Sequence, residues 1–226
     1  MLNFRINEKF FRIMIDNLHI FKKDILEFKK QGDFFYLMIV VRKKDMTTDK
    51  SNHQSVRVIK SYSIYSLEYL ENKYDEIKAI AEIFKARVYL GVNRLNDSQV
   101  SLKMLKELVD NLESGNNNCR SLWDSVVGKL VSQDKRWVVD IDAEELEYLE
   151  GIKETIYELD PCGNKIITTI PTISGIHLIT KPFRVDHFEN WCKTIPIKCD
   201  IQKKNPSLLF VPDSLLEFKK QNELKI

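Results

Sequence analysis

The sequence has few of the features that mark zinc modules, membrane anchors or secreted proteins. No CxxC pair occurs among its four cysteines, Cys119, Cys162, Cys192 and Cys199, so we expect no structural zinc. No apolar run approaches the ~18–20 residues that span a bilayer. Residues 1–18 alternate charged and apolar positions, unlike the continuous apolar stretch of a secretion signal. We therefore expect a soluble cytoplasmic protein with free thiols and no membrane association.

Excess charge and flexible linkers are also scarce. The formal net charge is only +2, so the overall field of the molecule would not by itself drive nucleic-acid binding. Glycine and proline are sparse, no internal repeat is visible, and no stretch is a convincing domain linker. The composition, 43% hydrophobic and 30% charged, is that of an ordinary globular protein. We expect a single domain over residues 1–226 with its own core.

The charges that are present are segregated along the chain. Basic clusters occur at 42–44 and 203–204, whereas residues 140–160 are strongly acidic. This distribution is compatible with a basic groove beside an acidic metal centre. Solvated faces on separate elements would produce the same pattern, so charge alone does not choose between the two.

Hydrophobic periodicity predicts helices and strands in mixed order. Strands are expected at 34–41, 56–64, 86–92, 136–142, 165–171, 174–180 and 206–212, and helices at 7–30, 67–84, 102–112, 120–131, 146–156 and 185–193. Polar loops are expected at 45–55 and 113–119. Residues 34–41 are apolar throughout, which predicts a strand buried on both faces with 56–64 as its hairpin partner. Hairpins combined with crossovers favour an α/β (α+β) fold, a mixed sheet flanked by helices.

The stretch RWVVDIDAEE, residues 136–145, places two carboxylates at the end of a predicted strand. Alternation along a strand puts Asp140 and Asp142 on one face, with Val139 and Ile141 directed to the core. Carboxylates about 7 Å apart on one face can share two divalent ions, and their oxygens suit Mg²⁺ or Mn²⁺. The pattern therefore predicts a candidate metal site.

A helix start explains part of the same pattern. Asp142 followed by Glu145 matches a capping box, so capping and metal binding are equally good explanations of Asp142. Asp140 is harder to explain structurally, since an ionised side chain directly after WVV is costly unless it is paired or bound to a metal.

Two further stretches carry candidate residues. In TISGIHLIT, residues 172–180, His177 shares a strand face with Gly175, where a phosphate could approach the backbone, and Lys181 follows. A lone strand histidine is more often a core or surface residue without such a role. In IKCDIQKKNPSLLFVP, residues 197–212, Asp200 on a short strand precedes Lys203 and could complete a carboxylate triad, although such an Asp usually lies in a loop.

Together these motifs resemble the catalytic core of the archaeo-eukaryotic primase superfamily. The first motif has the pattern hhhDhD, in which h is a hydrophobic residue, and its two aspartates are Asp140 and Asp142. The second is the predicted strand SGIH, in which a small residue stands two positions before His177. The third is Asp200 on a short predicted strand. The superfamily includes primase small subunits and the primase-polymerases of phages, plasmids and other mobile elements. The resemblance covers roughly residues 34–212, and its specific motifs are the first two.

The resemblance implies a primase/RRM-like core and a set of roles. It implies that Asp140, Asp142 and Asp200 hold two catalytic Mg²⁺ or Mn²⁺ ions, and that nucleotide phosphates contact Ser174, Gly175 and His177. Arg42, Arg94, Lys181 and Lys203 are proposed as phosphate or template contacts from their charge alone. The expected partners are nucleoside triphosphates, single-stranded DNA or a primer-template, and a helicase or other replication protein in the host-cell cytoplasm.

Departures from the family qualify this expectation. Many members carry a zinc-binding element and some a helical priming domain, whereas here the cysteine spacing fits no zinc site and little sequence follows Pro212. The activity expected is template-directed nucleotidyl transfer, with priming retained, delegated or lost. The alternative is a replication accessory protein of the same fold that binds nucleic acid without catalysis.

Other enzymes with a DxD motif fit less well. A dehalogenase-type phosphatase requires Thr or Val where this chain has Glu144. A glycosyltransferase site would give His177 and Asp200 no role. A polymerase-β-type nucleotidyltransferase would need a Gly-Ser pair upstream of the carboxylates, and residues 127–142 offer none.

Overall fold

The structure, a computed structural model, describes residues 15–42, 45, 56–116, 122–130, 132, 134–195, 197–204 and 206–217. The predicted loops at 45–55 and 113–119 lie outside this set apart from Asp45 and residues 113–116, and so do residues 7–14 of the predicted first helix. Helices and antiparallel strands alternate along the described chain, which confirms the α+β prediction.

The described strands form two separate antiparallel sheets. In chain order the strands are β1 (Ile15–Asp16), β2 (Asp33–Arg42), β3 (Val56–Ile64), β4 (Arg87–Leu90), β5 (Leu95–Asn96), β6 (Trp137–Asp142), β7 (Ile166–Pro171), β8 (Gly175–Thr180), β9 (Asp200–Gln202) and β10 (Ser207–Val211). The first sheet has the order β1-β10-β4-β2-β3, with β5 paired to the start of β2. The second sheet has the order β7-β8-β6-β9.

In the described part of the chain, six α-helices connect these strands. They are α1 (Leu18–Ile20), α2 (Leu67–Phe84), α3 (Asp97–Glu113), α4 (Leu122–Lys129), α5 (Leu149–Glu158) and α6 (Val185–Cys192). A π-helical segment, Phe21–Ile25, continues α1, and a 3₁₀ segment, Ala143–Tyr148, leads from β6 into α5. Among the described residues, no helix combines the length and the apolar character needed to cross a membrane.

The second sheet is built as a split βαβ unit. Its elements follow the chain order β6-α5-β7-β8-α6-β9, and the first and third strands, β6 and β8, occupy the centre of the sheet. This arrangement is the ferredoxin-like one also found in RNA-recognition modules. It leaves one face of the sheet for α5 and α6 and the other face for a second layer.

Three of the four apolar clusters among the described residues join the sheets to each other and to the helices. One face of the second sheet packs Val139, Ile141 and Leu178 against α5 and α6. Its opposite face contributes Val138 and Ile179 to a larger cluster, shared with the first sheet, with α2 and with the π-helical segment. A third cluster joins the far face of the first sheet to α3 and α4. The two sheets therefore share a core.

The β2–β3 hairpin confirms the prediction made from the apolar run at 34–41. Only Met38 and Arg42 of β2 are not buried, and Phe35 to Arg42 pair with β3. Alternate β2 side chains enter different clusters, Leu37 on one face and Tyr36 on the other. Burial on both faces explains why the run is continuously apolar rather than alternating.

The prediction of one helix over 7–30 is wrong for the described residues. β1 pairs with β10, α1 and the π-helical segment end at Ile25, and residues 26–32 form no helix. Asn17 and Asp33 account for the break. The Asn17 side chain binds backbone carbonyls of other strands, and the Asp33 carboxylate accepts hydrogen bonds from the N–H groups of Lys29 and Lys30. Such side-chain bonds compete with helical ones.

Candidate active site at the junction of the two sheets

Strand register brings three of the predicted site residues into one row across the second sheet. His177 of β8 and Asp200 of β9 both lie directly opposite Asp140 of β6. Gly175 lies opposite Asp142, two positions further along. Directly opposed residues share a sheet face, with Cβ atoms roughly 4.5–5.5 Å apart. The carboxylates of Asp140, Asp142 and Asp200 and the His177 ring therefore belong to the same face.

This face is apolar at one end and acidic at the other. Val138 and Ile179, each two residues along its strand from the row, are fully buried in the core shared by the two sheets. The side chain of Asp140 is 37% exposed, and Asp142 and Asp200 are exposed residues. The carboxylates therefore stand where the junction of the two sheets opens to solvent, which is where a charged substrate could reach them.

His177 connects this row to the first sheet. Its residue is 8% exposed, its Nδ1 shares a hydrogen bond of 2.8 Å with Oγ of the fully buried Ser207 on β10, and its Nε2 lies 3.4 Å from Oδ1 of Asp140. Two partners on opposite sides restrict the rotation of the ring. The imidazole thus holds a defined position beside Asp140 at the base of the opening.

Ser207 was not recognised in the sequence. It follows Pro206 at the start of a short apolar strand, and no spacing or motif distinguishes it from other strand serines. Its role becomes visible only when β10 of one sheet is placed against β8 of the other.

Asp142 caps the 3₁₀ segment, as one of the two explanations of it predicts. Asp142 and Glu145 form a capping box, in which Glu145 Oε2 accepts a hydrogen bond of 2.9 Å from the N–H of Asp142. Glu145 Oε1 also accepts one of 2.8 Å from the N–H of Lys198. The cap holds the turn after β6 against the segment that leads into β9. Metal binding by the exposed carboxylate of Asp142 stays a prediction.

Gly175 is required by the close approach of two backbones. A Cβ built at this position would lie 2.0 Å from the carbonyl oxygen of Ile141 and 2.9 Å from Cα of Asp142. The carbonyl of the preceding Ser174 accepts a hydrogen bond of 2.7 Å from the N–H of Ala143. The space left by the missing side chain is therefore filled by β6. Glycine is therefore required at position 175 by backbone packing, whereas the sequence had suggested that it admits a phosphate. Contact of Ser174 and Gly175 with a nucleotide stays a prediction.

The carboxylates are adjacent but do not converge. Among the described residues, no group of three or more His, Cys, Asp and Glu side chains is arranged to hold a metal ion. The Asp200 carboxylate accepts a hydrogen bond of 2.9 Å from Gln202 on its own strand. The donor set fits Mg²⁺ or Mn²⁺, because it consists of exposed hard oxygens on one face. Shared coordination with Asp140 would require the Asp200 side chain to rotate away from Gln202.

The four basic residues proposed as phosphate or template contacts lie in different parts of the structure. Lys203 follows β9, and its Nζ lies 5.2 Å from the ring centroid of Trp137. Lys181 follows β8 at the far end from Gly175, roughly 13 Å along the strand from His177. Arg42 donates a hydrogen bond of 3.2 Å to the hydroxyl of Tyr89 in the first sheet. Of these four residues, Lys203 is the one nearest to Asp200 along the chain.

Arg94 is engaged in a structural network. Its guanidinium pairs with Asp33 at 3.1 Å and with Asp134, and donates to the carbonyl of Glu27 at 3.0 Å. The side chain is only 12% exposed. These contacts favour a structural role for Arg94 over the predicted phosphate contact.

Cys199 lies directly before Asp200 and beside Cys192. Burial raises the pKa of the Cys199 thiol to about 12, with a further contribution from the neighbouring Cys192. A thiol with this pKa stays protonated at neutral pH and is a weak nucleophile. Cys162, Cys192 and Cys199 are free in the described part of the chain. The chemistry of the row therefore depends on its carboxylates and imidazole.

Two polar contacts outside the row align the sheets. The buried Asn17 donates from Nδ2 to the carbonyls of Pro171 and Leu208, both at 2.9 Å, which joins β7 to β10. Asn93 exchanges two hydrogen bonds with the backbone of Arg136, one residue before β6, at 2.7 and 2.9 Å. These contacts position β6 and β8 against the first sheet and hence the opening at Asp140.

Comparison with known proteins gives no match to a protein-family model, a curated protein or a solved structure. The functional argument therefore depends on the residues and geometry of this chain.

Proposed function

We propose that the protein is a metal-dependent nucleotidyltransferase that adds nucleotides to a nucleic-acid strand under the direction of a template. The observation that carries the proposal is the row of His177, Asp140 and Asp200 across three adjacent strands, with Asp142 on the same face. The split βαβ topology supports it, because the primase-like core suggested by the sequence has an RRM-like unit of this kind.

The residues of the row can be given separate chemical tasks. Asp140, Asp142 and Asp200 would hold the ions. When bound, Mg²⁺ or Mn²⁺ lowers the pKa of the attacking 3′-hydroxyl and stabilises the pyrophosphate leaving group. His177 would donate a hydrogen bond to phosphoryl oxygens, on which negative charge increases in the transition state. No protein nucleophile is needed, which agrees with the protonated state of Cys199 at neutral pH.

The position of His177 constrains that task. Its Nδ1 is engaged by Ser207 and its Nε2 faces Oδ1 of Asp140 at 3.4 Å, so a nucleotide would share Nε2 with that carboxylate or displace it. A phosphate held there would lie next to the ions that Asp140 binds. The buried contact with Ser207 orients the ring before substrate arrives, which reduces the reorganisation needed in the transition state.

The test is incorporation of labelled deoxy- or ribonucleotides on single-stranded DNA templates, with and without a primer, in Mg²⁺ or Mn²⁺. We expect the wild-type protein to extend the primer, and chelation with EDTA to abolish extension. Asp140→Asn should lose extension while keeping the wild-type unfolding temperature, because it preserves side-chain shape. Glu154→Gln, on the exposed side of α5, is the matched acid-to-amide control and should extend normally.

The competing function is that of a nucleic-acid-binding accessory protein of the same fold. Tight binding of single-stranded DNA by a wild-type protein that incorporates no nucleotide with either metal, primed or unprimed, would favour it and contradict the proposal. The exposed lysines near β9 make that outcome physically reasonable, since Lys203 and Lys204 supply charge without requiring catalysis.

A further inference from the structure

A cavity on the far face of the first sheet is not used by the chemistry proposed above. It has a volume of about 530 Å³ and lies between the first sheet, α4 and the end of the second sheet where β6 begins and β9 ends. We call it the α4 cavity and define it by Tyr36, Asp124, Gly128, Trp137, Lys203 and Lys204. Ligand sites in proteins commonly have volumes of about 300–1,000 Å³.

The walls and the mouth of the α4 cavity differ in chemistry. Met38, Val127 and Leu130 provide apolar wall, and Trp137 provides an aromatic one. Lysines 135, 203 and 204 line it as well, and all three are exposed. Lys203 is held over the Trp137 ring, and Lys204 donates to the carbonyl of Lys129 at 3.0 Å. The cavity is thus apolar and aromatic, with cations at its edge.

The exposed carboxylate of Asp124 limits where a charged ligand can bind in the α4 cavity. Asp124 is one of its lining residues and accepts a hydrogen bond from the hydroxyl of Tyr36. Burial and that bond raise the pKa of Tyr36, so its hydroxyl stays protonated. A phosphate next to the Asp124 carboxylate would be repelled, whereas the planar face and N–H groups of a nucleobase would not. Phosphates would instead be attracted to the lysines at the edge.

We infer that the α4 cavity binds an unpaired nucleobase of a single-stranded nucleic acid, with the adjoining phosphates on Lys135, Lys203 and Lys204. Aromatic walls combined with a basic edge are the usual means of holding single strands without reading their sequence. Lys203 follows Asp200 by three residues, so the basic edge of the cavity begins roughly 10 Å along the chain from Asp200. The inference deepens the proposed function, on which it rests for the role of the strand as template.

Gly128 offers a way to close the cavity without disturbing the core. A Cβ added at this position in α4 meets no atom within 4 Å. Gly128→Trp should fill the cavity and raise the dissociation constant for labelled dT20 on the order of tenfold. Gly128→Ala is the matched control, and should bind dT20 within twofold of wild type while strengthening the helix.

The basic edge is tested separately, by salt dependence. Lys203→Glu and Lys204→Glu should each weaken dT20 binding and reduce the slope of log K against log salt by about one. Lys106→Glu, on the exposed side of α3, carries the same charge change and should leave both quantities unchanged. A 20-base-pair duplex should bind more weakly than dT20, because paired bases cannot enter the cavity.

Several results would overturn the inference. They are wild-type affinity in folded Gly128→Trp, no binding of dT20 by wild type, and complete displacement of dT20 by excess dTTP, which would indicate a free-nucleotide site. Circular dichroism shows whether Gly128→Trp folds. If it does not, the inference is overturned when Lys203→Glu and Lys204→Glu bind dT20 with wild-type affinity and with the wild-type slope of log K against log salt.

Primer extension by the same proteins separates this inference from the proposed function. If wild type extends the primer, and Gly128→Trp extends it and binds dT20 as wild type does, the inference about the cavity is wrong and the proposed function stands. If wild type binds dT20 and Gly128→Trp does not, but wild type extends no primer, the proposed nucleotidyl transfer is wrong and the inference about the cavity stands.

Discussion

At the scale of single residues, Gly175 determines how closely β8 can approach β6. A Cβ at this position would overlap the carbonyl oxygen of Ile141, 2.0 Å away, which is rigid backbone rather than a flexible side chain. The same pairing sets the positions of Asp142 and, two residues along, of His177 against Asp140. One absent methyl group therefore controls the spacing of the candidate site.

Gly175→Ala should lower both stability and any activity of the row. We expect a loss of about 1–3 kcal/mol in the free energy of unfolding, since the strands must separate to admit the methyl group. Urea unfolding followed by circular dichroism measures this loss. Gly151→Ala in α5 is the control, because its Cβ would meet only Trp191 at 3.7 Å, and it should be neutral or stabilising. Equal stability of Gly175→Ala and wild type would contradict the packing argument.

The start of the 3₁₀ segment is where one side chain can serve two purposes. Asp142 caps the segment with Glu145, and its exposed carboxylate also lies on the face of Asp140. Asn caps helices about as well as Asp does but lacks the charge, whereas Ala does neither. Comparing the two substitutions therefore separates the structural task from the chemical one.

Asp142→Asn should keep wild-type stability and lose nucleotide incorporation by on the order of 10²-fold. Asp142→Ala should lose incorporation and, in addition, about 1 kcal/mol of stability. Primer extension and urea unfolding on the same preparations give both quantities. Full incorporation by Asp142→Asn would mean that Asp142 is only a cap, and that Asp140 and Asp200 alone supply the carboxylates of the site.

Elements with a strong hydrophobic pattern could be predicted, and those defined by distant partners could not. The apolar run of β2 and the periodicity of α2 correspond to real elements with nearly the predicted bounds. The helix predicted over 7–30 failed because Asn17 and Asp33 form side-chain hydrogen bonds that local periodicity does not reveal. Alternation alone predicted that Asp140 and Asp142 share a face, whereas the place of Asp200 opposite Asp140 depends on β9 pairing with β6.

At the scale of the whole molecule, the site exists because two sheets meet. Val138 and Ile179 of the second sheet enter the core of the first, and His177 reaches across to Ser207. The contacts between the two sheets join residues that are far apart in the sequence, so local patterns do not reveal them. This explains why neither Ser207 nor the α4 cavity was predicted. The buried Asn17 is the polar counterpart of the shared core, since one amide joins a strand from each sheet.

Asn17→Ala should therefore destabilise the molecule more than loss of an exposed amide does. Removing the buried amide leaves the carbonyls of Leu208 and Pro171, the first of them buried, without this donor, at a cost of about 1–3 kcal/mol. Asn190→Ala on the exposed side of α6 is the control and should change stability by less than about 0.5 kcal/mol. Thermal unfolding of the two variants measures the difference. Equal melting temperatures would show that the shared apolar core alone aligns the sheets.

The most direct measurement is a crystal structure with Mn²⁺ and a nucleoside triphosphate whose α–β bridge cannot be cleaved. The proposed function predicts anomalous density for manganese between the carboxylates of Asp140 and Asp200, with the Asp200 side chain turned away from Gln202 and the nucleotide phosphates near Nε2 of His177. Nucleotide bound elsewhere in the molecule, or bound at the row without manganese on Asp140, would contradict it.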